Sequence, residues 1–187
     1  MIKTFLDRLY YVYEVFSHHL PLFAEAYVKF HEPSVKKEIA MLQLSSSDKV
    51  LHIGCGAIPY TSIVMAREIG AQVIAIDHKS RVVKLSTYYI KQRKLLDLVT
   101  IKKEEGKTCD VSGFEVIIIS YGIANQDVVL QHVIDSSKAG SRILLRRSTA
   151  KNHAALVNEF STNHVHLLLT QESILLVKKE TQWDLCL

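Results

Sequence analysis

The alternation of apolar and polar positions changes rhythm once along the chain, near residue 49. Before that point Phe5, Leu6, Leu9, Tyr10, Tyr13 and Phe16 recur at helical spacing until Pro21 interrupts them. A second helical piece is expected through "LFAEAYVKFH". A third is expected to begin near Pro33, which stops one helix while Ser34 caps the next. From residue 49 the apolar runs shorten. "KVLHIG" reads as a buried strand entering a turn. Pro59 suits the first turn of the following helix, whose missing N–H costs nothing there, and Gly70 suits its end. That helix carries Ile63, Val64 and Ala66.

The same rhythm repeats downstream. "QVIAID" is a second strand, and Ser80 can cap a helix with Val82, Val83, Ser86, Tyr89 and Ile90 on one face. "LVTIK", "EVIIIS" and "RILLRR" are three more strands, with a helix running from about Asp127 to Gly140 before the last of them. After a helix near "KNHAALVNEF" come "HVHLLLT" and "SILLVKK", separated by only about two residues, too few for the crossover that parallel strands require. That pair must be an antiparallel hairpin. The expected architecture is α/β: a Rossmann-like, mostly parallel seven-stranded sheet with an antiparallel C-terminal hairpin strand, preceded by short N-terminal helices. Residues 1–48 are expected to form a helical segment packed on a main domain of residues 49–187.

Composition narrows the class without changing that picture. The chain has 187 residues, 48% hydrophobic and 22% charged, as expected of one globular domain. No apolar run is long enough for a transmembrane helix, and Asp7, Arg8 and Glu14 argue against a signal peptide, so no membrane partner is expected. Cys55, Cys109 and Cys186 form no CxxC pair and read as reduced thiols, hence a cytoplasmic protein. The net charge of +4 is mild. The clusters Lys91, Arg93, Lys94 and Lys102, Lys103, Lys107 are read as solvated faces in preference to a nucleic-acid surface.

The chemistry concentrates in "VLHIGCGAIPYTSIVMAREIGAQVIAID". Gly54 and Gly56 stand where a dinucleotide fingerprint has its first two glycines, but its third position holds Pro59. This turn follows the first strand, at the carboxyl edge where open α/β sheets bind ligands. Glycines there let the backbone turn tightly and approach a ligand. Asp77 follows Gly56 by 21 residues, at the end of the second strand, where a carboxylate can accept both ribose hydroxyls. The third glycine serves the pyrophosphate of a dinucleotide. S-adenosyl-L-methionine (SAM) keeps the ribose and has no pyrophosphate, so it fits Gly54, Gly56 and Asp77 better than NAD does.

These residues resemble a family. The hairpin-terminated sheet, the "GCG" turn and the acidic end of the second strand resemble class I SAM-dependent methyltransferases over roughly residues 45 to 180. The turn "IGCGAIPYTSIVMA" is more narrowly similar to nicotianamine synthase and its relatives, whose segment has the form G-x-G-P-L-P-x-T-S-I-V. Those enzymes transfer the aminocarboxypropyl arm of SAM. "LLRRS" on the fifth strand is similar to that family's arginine-serine strand end, while Ala57 stands where the family has its first proline. The resemblance implies SAM as cofactor, with S-adenosyl-L-homocysteine as the product of methyl transfer. It implies that Gly54, Cys55 and Gly56 line the methionine end, that Asp77 holds the ribose, and that His78 flanks the adenosine. Glu104 or Glu105 would sit near the adenine. Ser120 and Tyr121 would face the sulfonium and the acceptor, and Tyr121 and Asn125 are the candidate catalytic, substrate-positioning groups.

Several residues carry a plainer reading. His164 and His166 share a strand face but lack a third ligand, so no metal site is expected. Tyr10, Tyr11 and Tyr13 read as core packing, with a lid over the cofactor as a second reading. "SYGI" at the fourth strand end differs from the Asn/Asp-Pro-Pro-aromatic acceptor motif of amino-group methyltransferases. The expected function is a SAM-dependent transferase, a methyltransferase by default, acting on a small-molecule acceptor. The alternatives are aminocarboxypropyl transfer, or a catalytically silent SAM-binding subunit or sensor. Acceptor and oligomeric state stay open.

Overall fold

The computed structural model describes residues 21–146, 165–169 and 173–178. In chain order these form α1 (Pro21–Leu42), β1 (Lys49–Ile53), α2 (Tyr60–Ile69), β2 (Gln72–Asp77), α3 (Ser80–Gln92), β3 (Val99–Lys103), β4 (Val116–Ile119), α4 (Gln126–Ser136), β5 (Arg142–Arg146), β6 (Val165–Leu169) and β7 (Ser173–Lys178). The strands make one seven-stranded sheet in the order β3-β2-β1-β4-β5-β7-β6. The pairings β3-β2, β2-β1, β1-β4 and β4-β5 are parallel, and β7 runs antiparallel to both β5 and β6. The expected α/β sheet with a closing antiparallel hairpin is therefore present. The order reverses between β1 and β4, which places a topological switch point at the end of β1.

Alternate residues of the central strands build two cores. Val50, Ile118, Leu144 and Leu175 face α1, α2 and α3, where Val28, Val35, Leu42, Ile63 and Ile90 complete the layer. Leu51, Ile53, Ile117, Ile119, Ile143 and Leu145 face α4 through Val129, Leu130 and Val133. Arg142, at the start of β5, donates to the Leu42 carbonyl at 2.6 Å and pairs with Asp48 at 2.5 Å. It thereby satisfies the C-terminal end of α1, whose last carbonyls have no partner inside the helix.

Four expectations about element ends are corrected. Pro33 does not stop a helix, and Ser34 caps none: α1 runs unbroken from Pro21 to Leu42 with Pro33 inside it. An interior proline costs about 3 kcal/mol. Here Ala24, Tyr27 and Val28 before it, and Val35, Ile39 and Leu42 after it, lie in one buried cluster, which holds both halves in register. Pro59 stands at the N-cap of α2, one residue before the first turn. Ser80 is the first helical residue of α3, and Lys79 occupies the cap. α4 ends at Ser136, short of Gly140, because Ser137 turns into extended backbone at ψ 154°. Gly140, at φ +79°, instead turns the chain into β5 and donates its N–H to the Lys178 carbonyl at 2.9 Å. Gly70 ends α2 as expected, left-handed at φ 74°, with its N–H on the Ala66 carbonyl. The expected helices before residue 21, the helix near "KNHAALVNEF" and His164 lie outside the described residues.

Candidate functional site

Four strand ends line up at the carboxyl edge. Past β1 the backbone turns through Gly54 at φ +76° and Gly56 at φ +70°, conformations that L side chains rarely adopt. The N–H groups of Gly54 and Cys55 both donate to the Ile76 carbonyl, at 2.9 and 3.1 Å, tying this turn to the end of β2. The Glu104 N–H donates to the Asp77 carbonyl at 3.2 Å, and the Ser120 N–H to the Ile53 carbonyl at 3.0 Å. Glu104, Asp77, Gly54 and Ser120 thus stand side by side, in the order of their strands.

The expected site residues differ in what they present. Asp77 is half-buried, and its Oδ1 accepts the Lys79 N–H at 2.9 Å. Its second oxygen has no hydrogen bond among the described residues. The exposed His78 ring lies beside it, Nδ1 at 3.7 Å from Oδ1. Glu104 is half-buried next to Asp77, whereas Glu105 is exposed and its carbonyl starts a turn by accepting the Thr108 and Cys109 N–H groups. The Cys55 side chain is buried in the hydrophobic core, so this residue offers the edge only its backbone. Tyr121, 48% exposed, follows Ser120 at the mouth. Asn125 is exposed and left-handed at φ 54°, and it starts α4 with its carbonyl accepting the Val128 and Val129 N–H groups.

Glycine at position 54 makes the expected tight turn and also answers a second demand. A Cβ there would stand 2.8 Å from Ile123 Cγ1 and 3.5 Å from Ser120 Cβ. The space is taken by the loop after β4, which folds down onto the turn. Gly106 allows a similar approach, since a Cβ on it would meet Ile53 Cγ2 at 2.6 Å. The loops after β3 and β4 both close on the end of β1 through missing side chains.

Beneath this edge lies a polar layer that pattern reading did not find. His52, on β1, is 2% exposed. Its Nδ1 lies 2.9 Å from Ser62 Oγ on α2, and its Nε2 lies 2.8 Å from Ser120 Oγ. Burial, assisted by the positive charge of Arg146, pushes the His52 pKa down to about 3, so the ring is neutral. Arg146, at the end of β5, holds Glu38 of α1 through both carboxylate oxygens, at 2.8 and 2.5 Å. Ser173 Oγ donates to the same carboxylate at 2.9 Å. The remaining Arg146 nitrogen donates to Thr61 Oγ1 at 2.8 Å and to the Tyr60 hydroxyl at 3.3 Å. Gln126 Nε2 then donates to the Ser120 and Arg146 carbonyls, both at 2.9 Å, joining the ends of β4 and β5.

The consecutive residues Tyr60, Thr61 and Ser62 of "IPYTSIV" therefore serve both halves of the layer: Arg146 of "LLRRS" is the partner of Tyr60 and Thr61, and His52 that of Ser62. The one signal for this in the sequence is a histidine inside a run of aliphatic strand residues. Cys109 is buried, and desolvation followed by the Glu104 charge pushes its thiol up to about 11, which leaves it unreactive at neutral pH. Among the described residues no three His, Cys, Asp or Glu side chains could hold a metal ion, and no helix is long and apolar enough to cross a membrane.

Comparison with known proteins places the chain in a wider group. The family of protein-L-isoaspartate(D-aspartate) O-methyltransferase (PCMT) matches residues 4–172. A curated relative, L-histidine 2-aminobutanoyltransferase of Yersinia pestis, is 23% identical over 120 residues, covering 64% of this chain and 45% of its own length. The chain thus spans about half the length of that relative. Among solved structures, a mutant of MtNAS in complex with S-adenosylmethionine superposes with a TM-score of 0.78 at 17% identity, over 95% of this chain and 76% of its own. A putative SAM-dependent methyltransferase from Methanococcus maripaludis gives 0.68 at 10% identity, over 86% of this chain and 93% of its own. At these identities the structural likeness is one of fold.

Proposed function

Since the chain belongs to the protein-L-isoaspartate(D-aspartate) O-methyltransferase family, we propose that its carboxyl edge binds SAM and catalyses methyl transfer to a small-molecule acceptor. The enzyme class and the cofactor follow from the family: a SAM-dependent, methyltransferase-like transferase. The observation that carries the placement is the Asp77 carboxylate. It stands at the end of β2 beside the Gly54 turn with one oxygen fixed by Lys79 and the other without a hydrogen bond among the described residues. That donor-seeking oxygen suits a ribose diol. The residues present fit SAM, and they offer no third glycine for a pyrophosphate.

Bound SAM supplies a carbon already activated by its sulfonium. The protein's share is then to hold and orient the reactants. Asp77 accepts the ribose hydroxyls. His78 flanks the adenosine, and Glu104 lies on the adenine side, favoured over Glu105 by its burial. Gly56 and the backbone of Cys55 bound the methionine end with Gly54. Ser120 faces the sulfonium, while Tyr121 and Asn125 orient the acceptor at the exposed mouth.

A second reading, transfer of the aminocarboxypropyl arm, is favoured by one observation. The two segments that resemble nicotianamine synthase, "IPYTSIV" and "LLRRS", meet in space through Tyr60, Thr61 and Arg146. The Yersinia pestis relative is by name an aminobutanoyltransferase. Product analysis tests both readings. Methyl transfer leaves S-adenosylhomocysteine, and aminocarboxypropyl transfer leaves methylthioadenosine. Turnover of SAM to methylthioadenosine alone would replace the first reading by the second.

A further inference from the structure

We propose that His52 is a positioning residue that, braced by Ser62, fixes the Ser120 hydroxyl against the amino-acid arm of bound SAM. The inference rests on the SAM reading above. It concerns a buried residue that touches no ligand and acts through another side chain.

The geometry comes first. His52 sits on the central strand β1, with Ala75 and Ile118 as its neighbours across the sheet. Its two ring nitrogens meet hydroxyls from two further elements, Ser62 on α2 at 2.9 Å and Ser120 past β4 at 2.8 Å. A neutral imidazole has one N–H and one bare nitrogen. One serine must therefore accept from the ring and the other must donate to it. In either tautomer Ser120 is left with a defined set of lone pairs and proton for the cleft. Ser62 anchors the other ring nitrogen, and the tautomer the ring adopts fixes what Ser120 presents.

Location gives the arrangement a purpose. Ser120 Cβ lies 3.5 Å from where a Cβ on Gly54 would stand, and the Ser120 N–H is bonded to Ile53. Ser120 therefore borders the turn that takes the methionine end of SAM, away from Asp77 and the ribose. Stability alone does not ask for this trio. The surrounding layer is Val50, Ile63, Ala75 and Ile118, and replacing hydrogen-bonded polar partners by apolar groups of the same shape is nearly neutral or stabilising.

The test compares two ligands that share adenosine and differ in the amino-acid arm: S-adenosylhomocysteine carries it, and methylthioadenosine lacks it. Glutamine at position 52 places a polar terminus near the site of Nε2 and keeps Ser120 in reach, whereas asparagine reaches only as far as Nδ1 and keeps Ser62. Titration calorimetry is expected to show S-adenosylhomocysteine affinity falling about tenfold in His52→Asn, one lost hydrogen bond's worth, and less in His52→Gln. Methylthioadenosine affinity should stay at the wild-type value in both. Ser62→Ala, which touches neither Ser120 nor the cleft, should show the same split.

Equal losses for both ligands, or none, would overturn the proposal. A wild-type protein that binds neither ligand removes the SAM reading itself. A protein that binds both, with no split in the variants, keeps that reading and removes this inference alone. Should the variants fail to fold, nitrogen-15 spectra of the wild-type imidazole decide. The His52 signals should report one neutral tautomer and should shift with S-adenosylhomocysteine but not with methylthioadenosine. A tautomer mixture, or a ring indifferent to both ligands, contradicts the inference.

Discussion

On the α4 side of the sheet Leu51, Ile53, Ile117, Ile119, Ile143 and Leu145 form an apolar layer, while on the other side Val50, Ile118 and Leu144 share theirs with His52, Ser120 and Arg146. The same strands make both faces, one residue out of step. His52, Ser120 and Arg146 lie on or near the carboxyl edge, the edge that carries the glycine turn and Asp77, while Arg142 on the same face serves the opposite edge through Asp48. The apolar face holds the sheet together and tolerates conservative change. The polar face stands directly under the site, and its groups must all be partnered, because a buried polar group that loses its partner pays the full desolvation cost.

Breaking the Arg146 ion pair should separate the two faces most sharply. Glu38→Ala leaves a guanidinium buried without its carboxylate and should cost about 3–5 kcal/mol in urea denaturation, whereas removing both partners together, as Glu38→Leu with Arg146→Met, should cost far less. A Glu38→Ala cost within about 0.5 kcal/mol, typical of a surface change, would refute the contrast. The edge itself comes next. Asp77→Ala should weaken S-adenosylhomocysteine binding by about 2–3 kcal/mol, roughly 30- to 150-fold, and should slightly destabilise the fold through loss of the Lys79 bond. Asp77→Asn should retain part of the affinity, since its amide oxygen still accepts.

The polar face should also be the acid-sensitive one. His52 has a folded pKa of about 3, below the ordinary 6.5, so at pH values between these the unfolded chain binds a proton that the folded chain does not. The stability His52 allows is complete above pH 6.5 and is lost as pH falls towards 3, at about 1.4 kcal/mol per unit. Thermal unfolding across that window should show the slope, and His52→Gln should flatten it. The smallest effect belongs to the apolar face: Ile117→Val should cost about 0.5–1.5 kcal/mol with no dependence on pH.

Strands were legible because a buried parallel strand is a short aliphatic run closed by a turn residue, glycine in "KVLHIG" and aspartate in "QVIAID". The hairpin was legible from the shortness of its connection. Helix ends were read less well. Pro33, Ser80 and Gly140 each carry a local preference that tertiary contacts override or use elsewhere, and local preference is all that a short window contains. Gly54, Asp77 and Ser120 could be located at strand ends from the sequence, whereas Glu104 and Glu105, adjacent after the third strand, could not be told apart there. The layer beneath could not be located. His52 finds its partners 10 and 68 residues away, and Glu38 meets Arg146 across 108, distances that no periodicity spans. Ile123 against Gly54 was hidden for the same reason: a glycine's signature is the same whether a ligand or a side chain fills its space.

The central claim is that this edge holds SAM and not a dinucleotide. Titration calorimetry of S-adenosylhomocysteine and, separately, NADH into the wild-type protein tests it most directly. The account predicts saturable binding of S-adenosylhomocysteine at one site per chain, with a matching rise in melting temperature as the folded state alone takes up ligand, and no heat from NADH. Binding of NADH in place of S-adenosylhomocysteine would contradict it.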